Sequence, residues 1–188
     1  MPRVDNKLDS VALIAHLIAQ AAPRKRLGRT ALMKCLFFLK VLKQVPLPYS
    51  FGLYTYGPFD SDVLDDLKYG EALGAVKGTL VQYPGGQGYE YEGGPNIEQV
   101  EKTAKEFLSR HEKSIDWVLS EFGSRTAIDL EMASTLVFID RVTNAKKAKA
   151  TIADLARKVH DVKPHLELGK IEQEARALKE KGLLEAVA

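Results

Sequence analysis

The sequence predicts a mainly α fold with a small β component (α+β), on three observations. Apolar residues recur at helical spacing along most of the 188 residues. A proline-bounded aromatic run and a glycine-rich hairpin interrupt that spacing between residues 46 and 95. Hydrophobic residues make up 45% and charged residues 28%, the balance of a globular chain long enough to bury a core without staples or metals.

Residues 8–22 repeat Val11, Leu13, Ile14, Leu17, Ile18 and Ala21 on one stripe, which predicts a first helix capped by Asp9 or Ser10. Pro23 and Gly28 bracket a basic turn, and residues 30–45 carry Leu32, Leu36, Phe37, Leu39, Val41 and Leu42 into a second, largely buried helix. From Pro46 to Pro58 the order Tyr49, Phe51, Leu53, Tyr54, Tyr56 is aromatic and near-alternating, a short extended segment. Residues 59–73 return to helical spacing with Val63, Leu64 and Leu67 inward. Pro58 suits the first turn of that helix, and Asp60, Ser61 and Asp62 suit its positive end. Residues 75–83 and 89–92 flank Pro84-Gly85-Gly86-Gln87-Gly88 as the strands of a hairpin.

Two helices, a third helix and a hairpin in this order outline a winged helix, although the same order occurs in folds with no nucleic-acid role. Gly93-Gly94-Pro95 is the strongest internal punctuation. Beyond it the chain is helical over residues 98–122, 128–142, 151–162 and 167–181, the last stretch ended by Gly182. The expected organisation is a winged-helix-like half with a β-hairpin, residues 1–95, packed on a helical half, residues 96–188. One continuous compact fold is the alternative.

Lys and Arg number 27 against 25 Asp and Glu, a formal charge of +2, so no global field draws the chain to nucleic acid or membrane. The single Cys35 lies in an apolar helical pattern, where a lone thiol builds neither a disulfide nor a structural zinc site. The first residues lack an apolar signal core, and no apolar run approaches the ~20 residues of a membrane span, the pattern of a cytoplasmic protein. His16, His111, His160 and His165 fall on different elements with no metal-binding spacing. The hairpin glycines lack the lysine-serine end of a phosphate loop. No catalytic, cofactor-binding or metal-ligating residue emerges, and no cofactor is expected.

Three clusters remain. Arg24, Lys25, Arg26 and Arg29, with Lys34 further on, concentrate positive charge at the entry to the second helix. Guanidinium forks and helix-terminal amides there favour a phosphate, as at a helix-turn-helix, whereas a solvated turn is the plainer explanation. The acidic start of the third helix counts against insertion into a DNA groove. Asp60, Asp62, Asp65 and Asp66 place two carboxylates one helical turn apart, which suits a cation, but acids also collect at helix starts for electrostatic reasons alone. Tyr49, Phe51, Tyr54, Tyr56 and Phe59 form a stacking or protein-docking surface, or else core, since one face of a strand must be buried.

The segment Tyr54-Thr55-Tyr56-Gly57-Pro58-Phe59-Asp60-Ser61-Asp62 resembles the Tyr-Gly-Pro signature of the Panacea (SocA-like antitoxin) domain and of the YwgA-like bacterial and archaeal proteins, where it joins a short strand to an acidic helix. Residues 27–39 resemble the second helix of that group, and Lys163-Pro164-His165 with Ile171-Glu172 is similar to the YwgA-like carboxy-terminal end. The resemblance implies a protein that neutralises or delivers a partner through protein contacts, and it transfers no catalytic residue. Tyr56, Gly57, Pro58 and Asp62 are its motif positions, with an architectural role expected for them.

The expectation is therefore a non-enzymatic interaction module, antitoxin-like or adaptor-like, with a protein partner. The alternative is a DNA-binding transcriptional regulator, expected to be a homodimer, that uses the basic turn at residues 24–34 and the hairpin as a wing. A hydrolase built on Asp62 and Asp66 is the third reading.

Overall fold

The computed structural model describes residues 7–187. Among these residues the chain is mainly helical, with eight helices and small antiparallel sheets. The order is α1 (Lys7–Ala21), β1 (Leu27–Gly28), α2 (Arg29–Lys43), β2 (Gly52–Tyr54), β3 (Gly57–Phe59), α3 (Ser61–Ala72), β4 (Val76–Tyr83) and β5 (Gly86–Gly93). Next come α4 (Ile97–Thr103), α5 (Lys105–Phe122), α6 (Ala127–Ala145), α7 (Ile152–Val162) and α8 (Leu168–Glu180). The chain forms two compact units, Met1–Gly52 with Phe59–Arg125, and Leu53–Pro58 with Thr126–Ala188.

In the first unit α1 is enclosed over most of its surface, with Lys7 and Gln20 left exposed. Val11, Leu13, Ile14, Leu17 and Ile18 are fully buried, and so are Ala12 and Ala15 between them, because α3, α4, α5 and β5 all pack against this helix. A helix apolar all round is stable only when surrounded in this way. α2 buries the whole run from Leu32 to Leu39, and Phe38 stacks on Phe122 of α5 at 3.9 Å between ring centroids.

This packing explains why the division of the chain falls after Arg125 and not at Gly93-Gly94-Pro95. Val100, Leu108, Ile115, Val118 and Phe122 of α4 and α5 complete the core of the first unit. The single helix expected over residues 98–122 is two helices. The Thr103 hydroxyl donates to the Val100 carbonyl at 2.7 Å, a local bond that competes with the helical ladder, and the buried Ala104 leaves helical geometry at φ −117.

The sheet of this unit has the order β1-β5-β4. β4 and β5 pair without a bulge from Val76↔Gly93 to Tyr83↔Gly86, around the two-residue turn Pro84-Gly85. β1 pairs Leu27 with Tyr91 and Gly28 with Glu90. The sequence pattern does not predict this strand, because two residues carry no periodicity.

β2 and β3 form a second small hairpin. Pro58 is buried in β3, not in the first turn of α3. Gly57, at φ 88, reverses the chain in a left-handed conformation that favours glycine, and Asp60 then caps α3 by accepting from the Asp62 amide at 2.9 Å. The cap sets the helix start at Ser61, two residues later than the sequence pattern suggests.

In the second unit α6 is the buried centre, with Leu130, Ala133, Leu136 and Val137 meeting α7 and α8. Thr151 and Asp154 form a reciprocal capping box at the start of α7. Fully buried Asp140 accepts from the Glu185 and Ala186 amides at 2.8 and 2.9 Å, fastening the last residues to α6. No helix among the described residues is long and apolar enough to cross a membrane.

Candidate functional site

The second unit carries a tyrosine-tipped hairpin on a buried charge pair. Lys163 comes directly after α7 and is 4% exposed, and its ammonium donates to the carbonyl oxygens of Tyr54 and Thr55. Glu131 of α6, 5% exposed, brings Oε1 to 3.6 Å from Lys163 Nζ and 3.2 Å from His165 Nε2. That oxygen is in ion-pair range of both groups and hydrogen-bonded to neither. A buried lysine needs its charge compensated and acceptors for its donors, and here the Glu131 carboxylate compensates the charge while two backbone carbonyls accept.

What this anchor holds out is aromatic. Tyr54 and Tyr56 are 63% and 68% exposed, whereas Gly57 and Pro58 beside them are buried. The other members of the predicted aromatic group divide differently. Tyr49 is fully buried and donates its hydroxyl to Asp66 at 3.0 Å, while Phe51 is half-buried with its ring edge-on to Phe37. Of the five, Tyr49 alone is core, Phe51 and Phe59 are half-buried, and Tyr54 and Tyr56 are surface. A rigidly mounted tyrosine pair presents large amphipathic area at small entropic cost, the chemistry of a protein-binding anchor.

The basic residues predicted as phosphate contacts are not presented as one array. Lys34 is 2% exposed within the enclosed face of α2, which removes it from solvent. Lys25 donates to the Arg125 carbonyl at 2.8 Å, and Arg26 pairs with Glu92 at 2.7 Å. Arg29 donates to the Tyr91 hydroxyl at 2.9 Å and lies over the Tyr89 ring. Arg24 is exposed and lines a hollow with Pro23, Asp116, Trp117 and Ser120.

The acidic cluster separates in the same way. Asp62 is exposed, whereas Asp66 is buried against Tyr49 with Lys7 at 3.7 Å, and burial holds its carboxyl above the usual carboxylate range. No group of three side chains suited to a metal occurs among the described residues.

Two features escape the sequence. Glu131 lies inside an apolar helix run and gives no local sign that Lys163 will meet it. His16 Nδ1 stands 2.8 Å from Glu101 Oε1 across 85 residues, beside a hollow of about 370 Å³ that Lys102, Lys105 and Ser109 also line. The other histidines make separate contacts: His160 Nδ1 donates to the Leu166 carbonyl at 2.8 Å, and His111 packs on Phe107. Burial and the neighbouring Arg110 hold the His111 imidazole below its ordinary value. No protein family matches the sequence, and no characterised protein does.

Proposed function

We propose that this chain is a non-enzymatic interaction module that binds another protein through the Tyr54–Tyr56 tip. The observation that carries the proposal is the pairing of two strongly exposed tyrosines with a buried ammonium that fixes the backbone beneath them. Binding loses less entropy when the contact residues are already fixed, and tyrosine is enriched among residues that dominate interface energies.

A winged-helix-like organisation of the first unit belongs to this proposal. The order α1-β1-α2-α3-β4-β5 and the pairing of β1 with β5 support it. The helix that would read a duplex in such a fold is α3, whose outward residues include Asp62 and Asp65. That charge favours a protein ligand over DNA. The resemblance of the Tyr-Gly-Pro segment to the Panacea group points the same way, to an antitoxin-like or adaptor-like role.

The test is co-purification from the source cell of the wild-type chain and of a Tyr54→Ala, Tyr56→Ala variant with an unchanged circular dichroism spectrum. A stoichiometric partner retained by the first and lost by the second supports the proposal. No stoichiometric partner, or one held equally by both, overturns it.

One arrangement favours a second reading, a DNA-binding regulator. Through β1 the basic turn is hydrogen-bonded to β5, which places exposed Arg24, Lys25, Arg26 and Arg29 next to a glycine-tipped hairpin. Four phosphate contacts would give a log-log salt slope near roughly −3.6. A duplex affinity unchanged in an Arg24→Ala, Arg26→Ala, Arg29→Ala variant removes this reading.

A further inference from the structure

One oxygen of Glu131 faces two basic side chains. Oε1 lies 3.2 Å from His165 Nε2 and 3.6 Å from Lys163 Nζ, and it is hydrogen-bonded to neither. The two stand in different surroundings. Lys163 is 4% exposed with its ammonium on the Tyr54 and Thr55 carbonyls, whereas the His165 side chain is 50% exposed and open to protons from solvent. An imidazole is the side chain that ordinarily changes charge between pH 5 and 8.

With His165 neutral, the site holds one ammonium against one carboxylate. With His165 protonated, it holds two cations against one anion. The imidazolium is the nearer to Oε1 and gains a charge-assisted hydrogen bond by taking it. Lys163 then keeps its charge where there is almost no water and without its counter-ion, which is costly for a buried ammonium. Solvent is the remaining source of compensation, and the flexible stem of a lysine reaches it only by withdrawing the ammonium from the two carbonyls. The neighbouring elements bring nothing that offsets this. Glu131 of α6 is the one acid in ion-pair range of His165 among the described residues. From α7, His160 is tied through Nδ1 to the Leu166 carbonyl, and at the start of α8 Glu167 pairs with Lys170 at 3.4 Å. The β2–β3 hairpin brings Tyr54 and Tyr56 and no charged side chain.

We infer that His165 is a proton-operated release for the tyrosine tip. Its protonation draws the Glu131 carboxylate off Lys163 and frees the Tyr54 and Thr55 carbonyls, so the tip is held at neutral pH and loosened in mild acid. That the release governs partner binding rests on the reading of the tip as a docking site, whereas the release itself does not.

The experiment is backbone NMR relaxation of the full chain at about pH 7.5 and about pH 5.5, with the His165 ring signals followed across that range and a His165→Gln variant beside the wild type. In the wild type the amide order parameters of Tyr54, Thr55 and Tyr56 are expected near ~0.85 at the higher pH and below ~0.6 at the lower. In His165→Gln they should stay near the upper value at both. The amide of buried Leu155 in α7 should remain rigid throughout, which separates release from acid unfolding. A His165 ring that does not titrate in this range, wild-type order parameters that ignore its titration, or an equal fall in His165→Gln overturns the inference. Co-purification at the two pH values separates it from the docking reading. A partner lost in acid by the wild type and kept by His165→Gln supports both. No partner at either pH, with the order parameters behaving as stated, removes the docking reading and leaves the release standing.

Discussion

Lys163 donates a hydrogen bond to the carbonyl oxygen of Tyr54, 109 residues earlier in the chain. The contact turns a short hairpin, which would be marginal alone, into a fixed platform for two exposed rings. Replacing Lys163 with Met removes the cation that compensates Glu131 and leaves two carbonyls without their donor. A loss of about 3–5 kcal/mol is expected, the cost of breaking a buried pair from one side. Adding Glu131→Gln should recover part of that loss, because the uncompensated charge then disappears. Denaturant unfolding of the three variants measures both effects, and Tyr54→Ala with Tyr56→Ala should leave the midpoint nearly unchanged.

Phe122 is fully buried, stacked on Phe38 and edge-on to Trp117 at 5.9 Å. Phe122→Ala should cost about 3–5 kcal/mol, from lost transfer energy and the cavity left behind. Thermal unfolding checks this, and a change below about 1 kcal/mol would mean that the site collapses around the smaller side chain.

Burial pushes the Cys35 thiol up to about 12, so the reactive thiolate is scarce at neutral pH. A thiol reagent should leave the native chain unlabelled for as long as it stays folded and label it at once in denaturant. Rapid labelling of native protein would place Cys35 outside the core.

Asp66 supplies a signed pH dependence. Burial raises its folded pKa above the ordinary value of 3.8, so the ionised form is disfavoured in the fold. That penalty is present above the folded pKa and is relieved as pH falls through it. Asp66→Asn keeps an acceptor for the Tyr49 hydroxyl and removes the charge. The variant should therefore gain stability over the wild type at neutral pH, with the difference shrinking toward pH ~4. Unfolding at a series of pH values reads it, and a difference that widens on acidification contradicts it.

The helices are legible in the sequence where one signal dominates. The apolar stripe of α1 and the run from Leu32 to Leu39 admit no other structure, and Pro84-Gly85 marks the hairpin turn directly. What the sequence hides is decided by tertiary contacts. Lys34 counts as basic surface because a lysine usually is, yet helix periodicity places it on a face that the rest of the unit encloses. Pro58 fits a helix start until the Asp60 cap moves that start past it, and β1 exists only because β5 is there to pair with. The anchor of the tyrosine tip is half-visible. Lys163 and Tyr54 each stand in a segment with a recognisable pattern, but nothing local connects them, and Glu131 among apolar neighbours resembles an ordinary helix glutamate.

The most direct measurement is site-specific photocross-linking in the source cell, with a photoreactive phenylalanine placed at Tyr56 and, as a control on the same unit, at exposed Ile128. The account predicts one discrete adduct with another protein at Tyr56 and none at Ile128. No adduct at Tyr56, or the same adducts at both positions, would contradict a partner docked on the tyrosine tip.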